Sequence, residues 1–145
     1  MIALGADHAG FEFKEKIKVL LKSMGVEFKD YGAFSAESTD YPDYAHAVAQ
    51  AVSEGAAEKG ILVCGSGVGM AITADKHNGV RAATVESLEA ARLCRQHNDA
   101  NVLSLGARLT PWERASEIIN IFLNTPFEGG RHQRRIDKIH TLTNL

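Results

Sequence analysis

The sequence predicts a doubly wound α/β domain built on a five-stranded parallel sheet, and three observations carry that prediction. Short apolar runs alternate with longer amphipathic ones along the whole chain. Helical spacing fills every gap between the runs, so consecutive strands must run parallel through crossover helices. Residues able to do chemistry gather directly after the runs, at the carboxyl edge where such sheets bind ligands. The expected strand order is 2-1-3-4-5, with helices on both faces and a basic helix at the C-terminus.

The runs Ile2–Ala6, Val26–Tyr31, Gly60–Cys64, Val80–Val85 and Asn101–Leu105 are the five strands. Between the first two, Phe13, Ile17, Leu20, Leu21 and Met24 recur at helical spacing. On that helix Lys14, Lys18 and Lys22 are expected to face outward, and Gly25 is placed to end it. Ala45, Val48, Ala49 and Val52 form a second stripe after Pro42. After the glycine-rich segment 65–69, Ala71-Ile72-Thr73-Ala74 can start a short helix. Ala90, Leu93, Cys94 and His97 form the stripe before the fifth strand. Thr110-Pro111-Trp112-Glu113 reads as a capping hydroxyl, a first-turn proline and a capping-box glutamate ahead of Ile118, Ile119 and Phe122. A break at Asn124-Thr125-Pro126 precedes the last, basic helix from about Arg131 to His140.

Composition narrows the class. The 145 residues, 45% of them hydrophobic, suffice for one globular domain spanning 1–145 with its own core. Sixteen basic against 18 acidic residues leave a net charge of -2, so no global field recruits nucleic acid or an anionic membrane. Cys64 and Cys94 form neither a zinc pattern nor a disulfide framework, which points to a reducing cytoplasm. The run Met1–Ala6 is too short for a signal peptide and no stretch approaches membrane-spanning length, so an unprocessed cytoplasmic protein is expected.

Chemistry concentrates in Cys64-Gly65-Ser66-Gly67-Val68-Gly69, where a strand empties its thiol into a glycine-rich loop. Glycines there allow close backbone approach to a ligand, and free amides at a following helix would favour an anion and a thiolate. The same residues also suit a tight turn and a small buried hydrophobe. Asp7-His8 after the first strand reads equally as a site or as a helix cap. Cys94 lies on an apolar stripe and is core. Arg131 and Arg135, an i, i+4 pair, suit a phosphate dianion or a solvated basic helix. Topology sorts these residues. Asp7, His8, Cys64–Gly69, Glu86 and Gly106–Arg108 follow strands and belong to one edge, whereas His97 and Asn98 precede the fifth strand and belong to the other.

Five motifs in order, Gly5-Ala6-Asp7-His8-Ala9-Gly10, Thr39-Asp40-Tyr41-Pro42, Cys64 to Gly69, Arg95-Gln96-His97-Asn98 and Gly129-Gly130-Arg131-His132-Gln133-Arg134-Arg135, resemble the ribose-5-phosphate isomerase type B family over nearly the whole chain. That family also holds galactose-6-phosphate isomerase subunits and enzymes of allose 6-phosphate. The resemblance implies aldose and ketose interconversion through an enediolate in the pentose phosphate pathway, with no metal and no cofactor. It makes Cys64 the base, with Ser66 and the amides from Gly65 through Gly67 and Val68 to Gly69 holding the oxyanion. Ser66 stands where many members have threonine, and either residue supplies a hydroxyl. By the same resemblance His97 opens the furanose ring with Asp7 assisting, Asn98 binds substrate, Tyr41 lines the sugar pocket, and His8, Arg108, Arg131 and Arg135 hold the phosphate. Because His97 and Asn98 fall at the far edge, they are expected from a second subunit. A homodimer is then the minimum unit, with a tetramer compatible with it. The alternatives are a hexose-6-phosphate isomerase and a non-catalytic sugar-phosphate-binding module on a flavodoxin-like fold.

Overall fold

The computed structural model describes residues 1–145. In chain order its elements are β1 (Ile2–Ala6), a 3-10 turn (His8–Gly10), α1 (Phe11–Ser23), β2 (Phe28–Asp30), α2 (Tyr41–Ser53), β3 (Lys59–Cys64), α3 (Val68–Ala74), β4 (Ala82–Thr84), α4 (Leu88–Gln96), β5 (Val102–Gly106), α5 (Trp112–Asn124) and α6 (Arg131–Thr143). All four strand pairings are parallel, in the order β2-β1-β3-β5-β4. The doubly wound class is therefore present, but the order differs from the expected 2-1-3-4-5. Burial explains the exchange. Every residue of β5 is buried, as a strand covered on both faces must be. β4 pairs over only three residues, all partly or fully exposed, and so takes the edge.

Alternation along the strands divides the core between the two faces. Leu4, Ile61, Leu103 and Leu105 meet Ile17 and Leu21 of α1, Cys94 of α4 and Ile118, Ile119 and Phe122 of α5. On the opposite face Ala3, Leu62 and Val102 meet Ala45, Val48 and Ala49 of α2 and Met70 and Ala74 of α3. Burial pushes the Cys94 thiol up to about 11, partly offset by the charge of Arg95, so it stays protonated at neutral pH. No helix is long and apolar enough to cross a membrane.

Two local expectations are corrected. Thr110 does not cap α5: the cap is Pro111, no side chain bonds the first amides, and Thr110 instead closes the turn after β5 through its own amide to the Gly106 carbonyl (3.0 Å). Lys14 does not face outward. Its side chain is fully buried, and Nζ donates to Asp30 Oδ2 at 2.7 Å and to Glu15 Oε2 at 3.0 Å. Lys18 joins the same carboxylate at 3.1 Å. α1 otherwise ends as expected: Gly25 takes φ +68° and the Val26 amide returns to the Leu21 carbonyl at 2.9 Å.

Burial works against the Asp30 carboxylate, but the bonds from Lys14, the Gly32 amide and Lys18 outweigh it and hold the group below its usual range. A carboxylate depressed on folding stabilises above its unfolded pKa, and that contribution is lost as pH falls through the folded value. Asp30→Asn should accordingly cost about 3 kcal/mol at neutral pH, the lower end for a broken buried pair because Glu15 remains beside Lys14. Urea unfolding should show this penalty at pH 7 and a progressively smaller one in acid.

Candidate active site

β1, β3 and β5 lie side by side, with Ala6 opposite Val63 and Cys64 opposite Gly106, so the segments that leave them meet at one carboxyl edge. The chain winds away from β1 in both directions there, which opens a crevice between strand ends. A cavity of about 340 Å³ fills it, lined by Asp7, His8, Tyr41, Cys64, Ser66 and Arg108 together with Gly65 and Gly69. The altered strand order matters here. With β5 next to β3, Arg108 reaches the Cys64 loop, while Glu86, expected at the same edge, is carried off with β4 and does not line the cavity.

Cys64 is 5% exposed and still forms part of the cavity wall, so the sulfur belongs to both the core and the site. Gly67 takes φ +79°, a left-handed conformation that favours glycine, and this turns its amide onto Sγ at 3.1 Å. The Val68 amide donates to Ser66 Oγ at 3.2 Å and opens α3, three residues earlier than the sequence pattern placed that helix. The amides of Gly65, Ser66 and Gly69 make no hydrogen bond within the protein, leaving three donors at the cavity. Gly69 also makes room for the Tyr41 ring, since a Cβ there would stand 2.6 Å from Cζ. The buried hydroxyl of Ser104 donates to the Gly67 carbonyl at 2.6 Å and locks the loop from beneath. Sequence reasoning missed Ser104; the available signal was a lone hydroxyl inside the apolar run of β5.

Asp7 caps a turn and also lines the cavity. Oδ1 accepts from the Ala9 and Gly10 amides at 3.0 and 3.1 Å, capping the 3-10 turn, while Oδ2 has no partner within the protein and the residue lines the cavity. His8 Nδ1 lies 3.1 Å from the Thr39 amide. The same nitrogen lies 3.2 Å from the Thr39 carbonyl, so the ring is held at Nδ1 in either tautomer and Nε2 makes no bond within the protein. A second hollow bounded by Thr39, Asp40, Tyr41 and Pro42 shares Asp7 and His8 with the first, so the Thr39–Pro42 motif extends the site. Arg108 packs its guanidinium over Gly65, where a Cβ would meet Nη1 at 3.0 Å.

His97, Asn98, Arg131 and Arg135 do not line this cavity. His97 caps the C-terminus of α4, ahead of β5, and its ring stacks on His132 of α6 with centroids 4.3 Å apart and planes 15° from parallel. That stack brings the exposed Arg131 and Arg135 of α6 to the His97 end of the subunit. Arg95 secures this corner. Buried, it donates to the carbonyls of Thr125 and Ala100 and to Asp99 Oδ1, tying the end of α4 to the end of α5. Nothing in the sequence pattern marked that role, because an arginine beside an apolar stripe reads as a solvated flank. His97, His132 and Glu128 place potential ligand atoms within 4.8 Å of one another. Arg131 and Arg135 place positive charge beside His132, which works against a cation there.

The profile of the Ribose/Galactose Isomerase family matches residues 2–139. Ribose-5-phosphate isomerase B of Escherichia coli K12 is 48% identical over 138 residues, 95% of this chain and 93% of that protein. The ribose-5-phosphate isomerase B structure from Clostridium thermocellum superposes with a TM-score of 0.97 at 42% identity, covering 99% of this chain and 97% of the other. That of Mycoplasma genitalium, with bound ribulose-5-phosphate, gives 0.94 at 42% identity over 99% and 95%.

Proposed function

The chain belongs to the ribose/galactose isomerase family, and from that premise we propose that it interconverts ribose 5-phosphate and ribulose 5-phosphate through an enediolate, as a cytoplasmic enzyme of the pentose phosphate pathway with Cys64 as its base. The observation that carries this reading is the thiol at the wall of a polar cavity, beside three uncommitted amides.

The chemistry needs those parts together. A proton on carbon next to a carbonyl leaves only when the developing oxyanion is stabilised. The Cys64 thiolate takes the proton from C2 of the open aldose, the electron pair moves into a C1–C2 double bond, and O1 becomes the oxyanion. The amides of Gly65, Ser66 and Gly69 receive it, with the Ser66 hydroxyl, which already accepts from Val68 and keeps its own proton to donate. The O2 proton passes to O1, which shifts the negative charge to O2, and return of the proton from sulfur to C1 then leaves a hydroxyl on C1 and the carbonyl on C2. Before this, the furanose must open: His97 donates to the ring oxygen and the free oxygen of Asp7 takes the anomeric hydroxyl proton. His8 and Arg108 hold the phosphate from the cavity side, Arg131 and Arg135 from the other, and Asn98 and Tyr41 contact the sugar.

Since His97, Asn98, Arg131 and Arg135 stand apart from the Cys64 cavity, they enter it from a second copy of the chain, so the working unit is a homodimer. Exposed apolar side chains beside the cavity support this: Val68 is 49% exposed, Ile72 58% and Leu109 55%, a surface suited to being covered. Phosphate binding remote from C1 and C2 orients the substrate, so it contributes to turnover as well as affinity.

Kinetics on ribose 5-phosphate, allose 6-phosphate and galactose 6-phosphate side by side test the assignment. The largest kcat/KM should fall on ribose 5-phosphate. A hexose preference would move the substrate within the family, and ketose from none of the three would leave a sugar-phosphate-binding module.

A further inference from the structure

We propose that His132 is a positioning residue for the isomerase reaction, stacked on His97 so as to hold that ring in its donating orientation. The inference rests on the assignment of His97 as the ring-opening acid. Its warrant is geometric. The two imidazoles lie nearly parallel, 15° apart, with centroids 4.3 Å from each other. They come from separate elements, the end of α4 and the first turn of α6, so the contact is a tertiary feature and not a consequence of helical spacing. His132 is 7% exposed and its ring nitrogens make no hydrogen bond; the nearest is the Glu128 carboxylate, 3.6 Å from Nε2. A buried ring committed to no hydrogen bond is there for its face.

That face has an electrostatic consequence. Packed face to face with another imidazole, His132 is disfavoured in its charged form. Burial lowers the pKa of His132, and the charges of His97, Arg131 and Arg135 lower it further, against the opposing pull of Glu128. His132 therefore offers a neutral π-face to His97, which is half-buried at its helix end, and such a face attracts positive charge. The C-terminal carbonyls of α4, whose cap is His97 itself, act in the same sense. Ring opening would then draw on an acid already aimed.

The test separates ring opening from proton abstraction. Ribulose 5-phosphate cannot close a furanose, because its C5 oxygen carries the phosphate. Exchange of its C1 proton with solvent needs the Cys64 base but no ring-opening acid. We expect His132→Ala to slow ribose 5-phosphate turnover by about 10- to 100-fold, the scale of a misplaced catalytic group, while C1 exchange in ribulose 5-phosphate, followed by deuterium incorporation, stays within about twofold. His132→Phe, which keeps an aromatic face and cannot titrate, should recover most of the turnover. Equal loss of both reactions in His132→Ala, or a His132→Phe enzyme no better than His132→Ala, would overturn the proposal. His97→Ala distinguishes the two levels. If it retains ribose 5-phosphate turnover, the assignment of the acid fails; if it loses turnover selectively while His132→Ala does not, only the role of His132 fails.

Discussion

Cys64→Ala should reduce isomerisation by about 10²- to 10⁴-fold, the contribution expected of a positioned base, and should reduce exchange of the substrate C2 proton with solvent in parallel. The parallel loss is the informative part. A residue that only shaped the cavity would weaken binding and slow both directions through KM, whereas removal of the base strikes kcat and exchange together. The fold should survive, because the truncation removes one sulfur whose single polar contact is the 3.1 Å bond from the Gly67 amide. Thermal unfolding of the variant within a few degrees of the wild type, on the scale of about 1 kcal/mol for a domain this size, would establish that. Cys94 supplies the internal control. It sits in the core between α4 and the sheet with its thiol pushed up to about 11, so Cys94→Ala should leave exchange untouched. Full exchange activity in Cys64→Ala would remove the thiol from the mechanism.

How far the sequence revealed this arrangement depended on whether each signal was local or tertiary. Strand and helix periodicity placed every element of the sheet, because apolar spacing is a local property read off a window of the chain. The rule that ligands sit beyond strand ends then gathered Asp7, His8, Cys64 and Arg108, and the cavity has all four on its wall. The order of β4 and β5 was not legible: both are short runs preceded by helices, and the difference lies in how completely each is buried, which only the folded sheet decides. That exchange put Arg108 at the cavity and took Glu86 away. Lys14 was misplaced for a related reason. Helical spacing sets it on the flank of α1, but its ammonium finds Asp30 across the sheet edge, and a paired charge can be buried where an unpaired one cannot. Ser104, Arg95 and His132 each make a defining contact 30 or more residues distant in sequence, as in the 37-residue separation between Ser104 and Gly67 and the 30-residue separation between Arg95 and Thr125. No window of sequence contains both partners.

Within one chain the proposed base and the proposed acid lie on different parts of the molecule: Cys64 faces the cavity after β3, and His97 stacks on α6 ahead of β5. Neither the Cys64→Ala nor the His97→Ala homodimer should turn over ribose 5-phosphate, since every site in each lacks one group. A dimer assembled from one subunit of each kind differs. One of its two sites combines the intact Cys64 of one chain with the intact His97 of the other, and the second site lacks both.

Mixing the two purified variants under conditions of proven subunit exchange therefore tests the central claim directly. Random pairing makes half the dimers mixed, each with one complete site of two, so activity should rise from background to about a quarter of the wild-type level. Background activity after demonstrated exchange would contradict the account, because base and acid would then have to work within a single chain.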